Sequence, residues 1–166
     1  PGIFHFLDWN LRSIGQVYFC NNPVSGFLIL IGLFVQSTRV AVHGLIALVT
    51  GNTLAILLGF DRGLIASGLF GYNSILVGLA IATFHSADEH EGYDIAIVIG
   101  TIITSVLSVI VFISMSKVLV PYKSPPLTSP FNLATHMFLL SVATMHNIPM
   151  GSVGTPRLPN FNADVD

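Results

Sequence analysis

Apolar and polar positions along this chain alternate on a long scale, with extended apolar stretches set apart by short polar punctuation. Charged side chains stand only at Asp8, Arg12, Arg39, Asp61, Arg62, Asp88, Glu89, Glu91, Asp94, Lys117, Lys123, Arg157, Asp164 and Asp166. The intervals 13–38, 40–60, 63–87, 95–116 and 124–156 carry none. Each holds an apolar run near the ~20 residues with which a helix crosses a ~30 Å hydrocarbon core. A charge at mid-span would cost roughly 2.5–3.5 kcal/mol. Five such intervals in succession therefore predict spanning segments at 24–38, 40–60, 63–84, 95–116 and 131–147. The β-branched run from Ile95 to Met115 is read as helix and not strand, because hydrocarbon requires each segment to satisfy its own backbone.

Three stretches depart from the simple pattern. The third segment carries Gly68, Gly71, Tyr72 and Asn73 at its middle, where a lipid-facing helix has no use for an amide. The fifth follows Pro121, Pro125, Pro126 and Pro130, so an irregular start packed against protein is expected. Residues 1–22 are apolar but contain Asp8 and Arg12, four apart as an ion pair would be, and end at Asn21-Asn22-Pro23. They read as an interfacial amphipathic helix with Trp9 at headgroup level, or as a half-helix that enters the membrane and stops. With no Met before Pro1, the N-terminus is expected to lie further upstream.

Composition narrows the class. Among 166 residues 52% are apolar and 8% charged, against about 25% charged in ordinary domains. That balance is the reverse of a disordered chain's, and a net charge of −2 argues against a nucleic-acid binder. With alternating segments, Arg12, Arg62, Lys117 and Lys123 fall on one side and Arg39 and Arg157 on the other. The positive-inside rule then places the N-terminus in the cytoplasm and the acidic loop His85–Asp94 outside.

Candidate chemistry is sparse. The single Cys20 leaves no internal disulfide and no cysteine-based metal framework. There is no Walker loop, GxSxG or HExxH, so neither an enzyme nor a cofactor is expected. His85, Asp88, Glu89, His90 and Glu91 have irregular spacing and read as a solvated acidic turn. His43 and His136 are read first as histidines bonded to a helix carbonyl, and second as proton-relay or substrate residues. Gln16, Asn52, Asn73, Thr128 and Asn132 must face protein, water or a solute. Taken singly, each favours interhelical hydrogen bonding. Their company points further: Gln16 with Phe19 at i, i+3 and Tyr72 with Leu76 at i, i+4 each share a helix face, and Thr128 sits in a proline-broken turn before Phe131. Aromatic planes, apolar walls and a few neutral hydrogen-bonding groups suit a small neutral polar solute better than an ion. Pro130, lacking an N–H, is further expected to leave the carbonyl four residues earlier open to such a solute.

The run Leu7-Asp8-Trp9-Asn10-Leu11-Arg12, followed by Gly15-Gln16-Val17-Tyr18-Phe19 and Asn21-Asn22-Pro23-Val24-Ser25-Gly26, resembles the opening of the first repeat of the urea transporters. Asp61 through Asn73 and Leu127 through Asn132 resemble later parts of that repeat, in the same order and at the same spacing. The LPxxTxPF signature is imperfect, since Ser124 replaces its leading leucine while Pro125, Thr128, Pro130 and Phe131 are kept. Tyr72 stands where some relatives carry Phe. The resemblance implies an all-α integral membrane fold: one repeat of five transmembrane helices plus a tilted or re-entrant half-helix. On this chain that divides into the half-helix at 1–22, the five-helix repeat at 23–147 and a polar tail at 148–166. It further implies passive, channel-type urea transport in the plasma membrane and assembly as a trimer. Gln16 would supply an amide, Phe19 an aromatic wall, Tyr72 and Leu76 wall positions on the third helix, and Thr128 the signature threonine.

Family members carry two such repeats around one pore, and residues 147–166 begin no second copy. The chain is accordingly expected to supply one half of a pore, as a fragment, or as a half-length protein completed by a second copy or a separate half. A non-conducting fragment or assembly subunit with the fold alone is the alternative, and water or ammonia permeation a further one.

Overall fold

A computed structural model of the chain describes residues 2–84 and 95–144, and these are helical with no strand among them. Helix α1, Ile3–Gln16, turns Trp9, Ser13, Ile14 and Gly15 inward. Asp8 and Arg12 form the expected ion pair, at 2.8 Å. Arg12 also donates to the side-chain and backbone oxygens of Asn21, at 3.0 and 3.1 Å, which folds the chain back after α1. Asn22 then accepts from the Val24 N–H at 2.8 Å and caps α2, Pro23–Gln36, with Pro23 in the first turn where its missing N–H costs nothing. The polar triplet that closes the first segment is thus the device that reverses the chain. Trp9 is 9% exposed and packed in a core cluster.

Ser37 alone separates α2 from α3, Thr38–Leu57, and its hydroxyl accepts from the Val40 N–H at 3.4 Å. The break falls two residues before Arg39, because Ser37 is the capping residue and Arg39 is not. The expected third segment is divided. Asp61 caps the short α4, Arg62–Ala66, through the Leu64 N–H at 2.9 Å, and α5 begins afresh at Gly71–Phe84. Between them Gly68 adopts φ +81 and lies against the backbone of Ser13, a site with no room for a side chain. Helix α6, Ile95–Leu119, runs beyond the expected 116 and ends in a 3-10 turn at Val120–Tyr122. Helix α7, Ser129–Thr144, opens with a buried Pro130 in its first turn. Residues 145–147 of the expected fifth segment, the acidic loop at 85–94 and the tail at 148–166 lie outside the described residues.

Two of the helical stretches, Thr38–Leu57 and Ile95–Tyr122, are long and apolar enough to cross a membrane. Helix α2 is shorter, with 14 residues, while α5 and α7 reach the edge of the described residues after 14 and 16. At 1.5 Å per residue, 14 residues reach about 21 Å. Since α1 is also 14 residues long, length alone does not single out 1–22 as the half-helix.

Helices α3 and α5 form the centre, with α6 packed on both, α7 on α5 and α6, and α1 between α2 and α5. The interior is unusually polar: Ser13, Asn52, Asn73, Ser74, Thr101 and Ser105 are all at most 1% exposed. Outward-facing positions are apolar, as with Val24, Phe27, Leu28 and Val35 on α2 and Leu133, Met137 and Leu140 on α7. Water as solvent would reverse this arrangement, whereas helices in lipid meet through small and hydrogen-bonding residues and leave their aliphatic side chains outside. The Ser105 hydroxyl, for example, donates across to the Ala47 carbonyl at 2.8 Å.

Candidate functional site

Three segments converge on the first turn of α5: the end of α1, α5 itself and the turn leading into α7. At the end of α1 the Cys20 N–H reaches back to the Gly15 carbonyl at 3.1 Å and the Phe19 N–H to that of Gln16 at 2.9 Å. This is the Schellman arrangement, which places Phe19 in the left-handed region at φ +59. The same pattern ends α3 at Gly59 and α4 at Gly68, both glycines. A phenylalanine in that position is strained by about 1–2 kcal/mol. Its ring gains nothing from burial in return, being 74% exposed. Gln16, the last helical residue, is half-buried, and its Oε1 is shielded with no hydrogen-bond partner among the described residues.

On α5, Tyr72 and Asn73 both turn toward the proline-broken turn. The Tyr72 hydroxyl and the Asn73 amide (3.2 Å) donate to the Leu127 carbonyl, and the Asn73 Oδ1 accepts from the Phe131 N–H at 3.3 Å. Leu127 is held at φ +48, a conformation a γ-branched residue seldom adopts. Asn73 thereby brackets the turn on both sides of Thr128, which is half-buried. Leu76 packs against the cluster that contains Tyr72, as does Val17, the neighbour of Gln16.

Of the sequence-derived candidates, the fold brings Tyr72, Leu76 and the turn of Thr128 together around one end of α5, with the end of α1 beside them. Phe19 stands apart on the exposed side of that α1 terminus. One expectation about a polar group is corrected. The Pro126 carbonyl, four residues before Pro130, accepts from the Ser129 N–H at 3.1 Å, because the turn supplies the donor that the proline lacks. The Tyr72 hydroxyl proton goes to the Leu127 carbonyl.

Asn52 and Asn73 do take up interhelical hydrogen bonds. Asn52 donates to Asn10 Oδ1 at 3.1 Å and Ser13 Oγ at 3.2 Å, joining α3 to α1 in a fully buried cluster. Asn10 and Ser13 were not among the sequence candidates. Their i, i+3 spacing on the inward face of α1 was the available signal. His43 and His136 contact the carbonyls of Arg39 at 2.9 Å and Asn132 at 2.7 Å, the helix-carbonyl arrangement.

A family model described as urea transporter matches residues 7–166. Urea transporter 1 of Mus musculus is 35% identical over 163 residues, covering 97% of this chain and 42% of the relative. Urea transporter 1 of Capra hircus is 38% identical over 149 residues, covering 90% of this chain and 38% of the relative. The chain thus spans about two fifths of the length of these relatives. With its ordered motifs, its inverted polarity and a match running nearly end to end, the chain belongs to the urea transporter family.

Proposed function

We propose that this chain lies in a membrane as one half of a passive urea pore, completed by a second repeat or a second copy, with Gln16, Phe19, Tyr72, Leu76 and Thr128 toward the pathway. The observation that carries this is the unpartnered Gln16 Oε1 at the end of α1. Leaving a shielded acceptor unmade costs about 1–3 kcal/mol, a cost offset when a solute donates to it. Urea is planar and neutral, with four N–H donors and one carbonyl. Gln16 and Thr128 can address its edge, and Phe19 can cover its face. The site offers no charge, so no ion is held and transport runs down the concentration gradient. The fuller reading puts the N-terminus in the cytoplasm, the protein in the plasma membrane and its copies in a trimer.

The test is urea efflux from proteoliposomes carrying the chain. Gln16→Ala is expected to lower flux about tenfold or more, the loss of one hydrogen bond in a desolvated site. Thr128→Val should act in the same direction. Absence of urea flux above empty vesicles, with insertion verified, would refute the proposal. Water and ammonia measured in the same vesicles separate the competing permeants.

Phe19→Gly separates function from folding. Glycine relieves the left-handed strain, so the unfolding midpoint in detergent should hold or rise, by up to about 1 kcal/mol. Urea flux should fall, because the aromatic wall is gone. A destabilised variant would show instead that the exposed ring holds the turn together.

A further inference from the structure

Beside the end of α3 lies a cleft of about 270 Å³ lined by Trp9, Ile56, Gly59, Phe60, Arg62 and Ile65. Phe60 is also a wall of a second, adjoining groove of about 200 Å³, where Phe112, Ile113 and Val120 supply apolar surface and Lys117 stands at the edge. The two therefore flank one aromatic ring, each with its own cation. Neither Arg62 nor Lys117 forms an ion pair among the described residues, where the ion pair is Asp8–Arg12. Asp61, which also borders the groove, turns its Oδ1 to the Leu64 N–H that it caps and keeps its negative charge, so the two clefts together carry a net charge of one positive unit from Arg62, Lys117 and Asp61. Trp9, 9% exposed, forms one wall of the first cleft.

The first cleft thus has a guanidinium without an ion pair beside the Trp9 ring, and the second an ammonium beside an apolar trough. We propose that together they bind one anionic phospholipid, its phosphate held near Arg62 and Trp9 and an acyl chain laid past Phe60 along Phe112, Ile113 and Val120. Charge complementarity selects the occupant. A zwitterionic lipid brings its own cation to a site that is already net positive, and a free anion leaves the apolar groove empty. Basic pockets between transmembrane helices bind anionic headgroups by the same physics. The shared Phe60 wall places Arg62 and Lys117 at one end of the bundle, as a single headgroup requires.

Trp9 is the only tryptophan in the sequence, so its fluorescence reports on this cleft alone. The full chain is reconstituted in phosphatidylcholine vesicles containing either brominated phosphatidylglycerol or brominated phosphatidylcholine at equal mole fraction. Phosphatidylglycerol is expected to quench Trp9 at about fivefold lower mole fraction per cation engaged. Arg62→Gln should remove about fivefold of that preference and Lys117→Gln a similar factor. Arg62→Lys should retain it, and Lys123→Gln, outside both clefts, should leave it unchanged. Should Arg62→Gln fail to fold by circular dichroism, Lys117→Gln and Arg62→Lys supply the same comparison. Equal quenching by the two lipids, or a preference indifferent to Lys117→Gln, overturns the proposal. So does reversal of the quenching by millimolar inorganic phosphate, which would make the site one for free anions. Protection of Trp9 from both lipids would mean that protein covers the cleft, and would overturn it equally.

Discussion

Gly78→Val is expected to cost about 3 kcal/mol or more and to prevent α5 from seating on α3. A Cβ at residue 78 would run into the backbone carbonyl of His43 and come within 2.9 Å of the Ala47 Cβ. The first obstacle is backbone, so no rotamer change relieves it; the two central helices must separate. Separation would also disturb the contact of Gly51 with Ser74 one helical repeat away, since both lie in the same interface. Gly32→Ala provides the contrast. A Cβ there meets nothing within 4 Å, so the substitution should be neutral or stabilising by about 0.5–1 kcal/mol through helix propensity alone. Unfolding midpoints of the two variants in the same detergent should move in opposite directions, or only the first should move. If Gly78→Val unfolded like the parent chain, the close approach of α3 and α5 would be refuted.

Asn73→Asp carries the second large effect, about 3 kcal/mol, by a different route. The carboxylate keeps an acceptor for the Phe131 N–H but loses the donor to the Leu127 carbonyl, so oxygen then faces oxygen. It also places a charge 1% exposed inside a membrane helix, a position costing roughly 2.5–3.5 kcal/mol. Tyr72→Phe removes the other donor to the same carbonyl, leaves Asn73 in place and should cost only about 1 kcal/mol. The turn around Thr128 is expected to loosen in the first variant and survive in the second. Protease susceptibility between Lys123 and Phe131, measured beside the unfolding midpoint, distinguishes them. Equal behaviour of the two would show that Asn73 does not hold the turn.

The two effects mark a division within the polar residues. Asn73 and Asn52 shape the protein, one by bracketing the Thr128 turn and the other by tying α1 to α3. Gln16 has no such duty among the described residues; its Oε1 is shielded without a partner, as is the Oδ1 of Asn52. Placement of the Thr128 turn and of α1 comes from the bonds that Asn73 and Asn52 make. Side-chain chemistry alone would not have told Gln16 from Asn52, since both are amides in an apolar chain.

Charge spacing was sufficient to place most helices, because a charge in hydrocarbon is costly enough to keep spans clean whatever the packing. The Asp8–Arg12 pair, the end of the first segment at Asn21-Asn22-Pro23 and the family itself were all legible in the linear order of residues. Local chemistry determines each of them. An i, i+4 pair meets on any helix, asparagine caps the helix that follows it, and ordered motifs survive in sequence. What tertiary structure decided was every question of facing. The division of 63–84 depended on Ser13 lying against Gly68, a contact across more than fifty residues. Trp9 went inward, the Tyr72 hydroxyl went to Leu127 and the Pro126 carbonyl found the Ser129 N–H. The sequence by itself determined where this chain can be apolar and helical; only the packed helices decided which of its polar groups are satisfied by other parts of the protein, because a hydrogen-bond partner is a fact of three-dimensional neighbourhood.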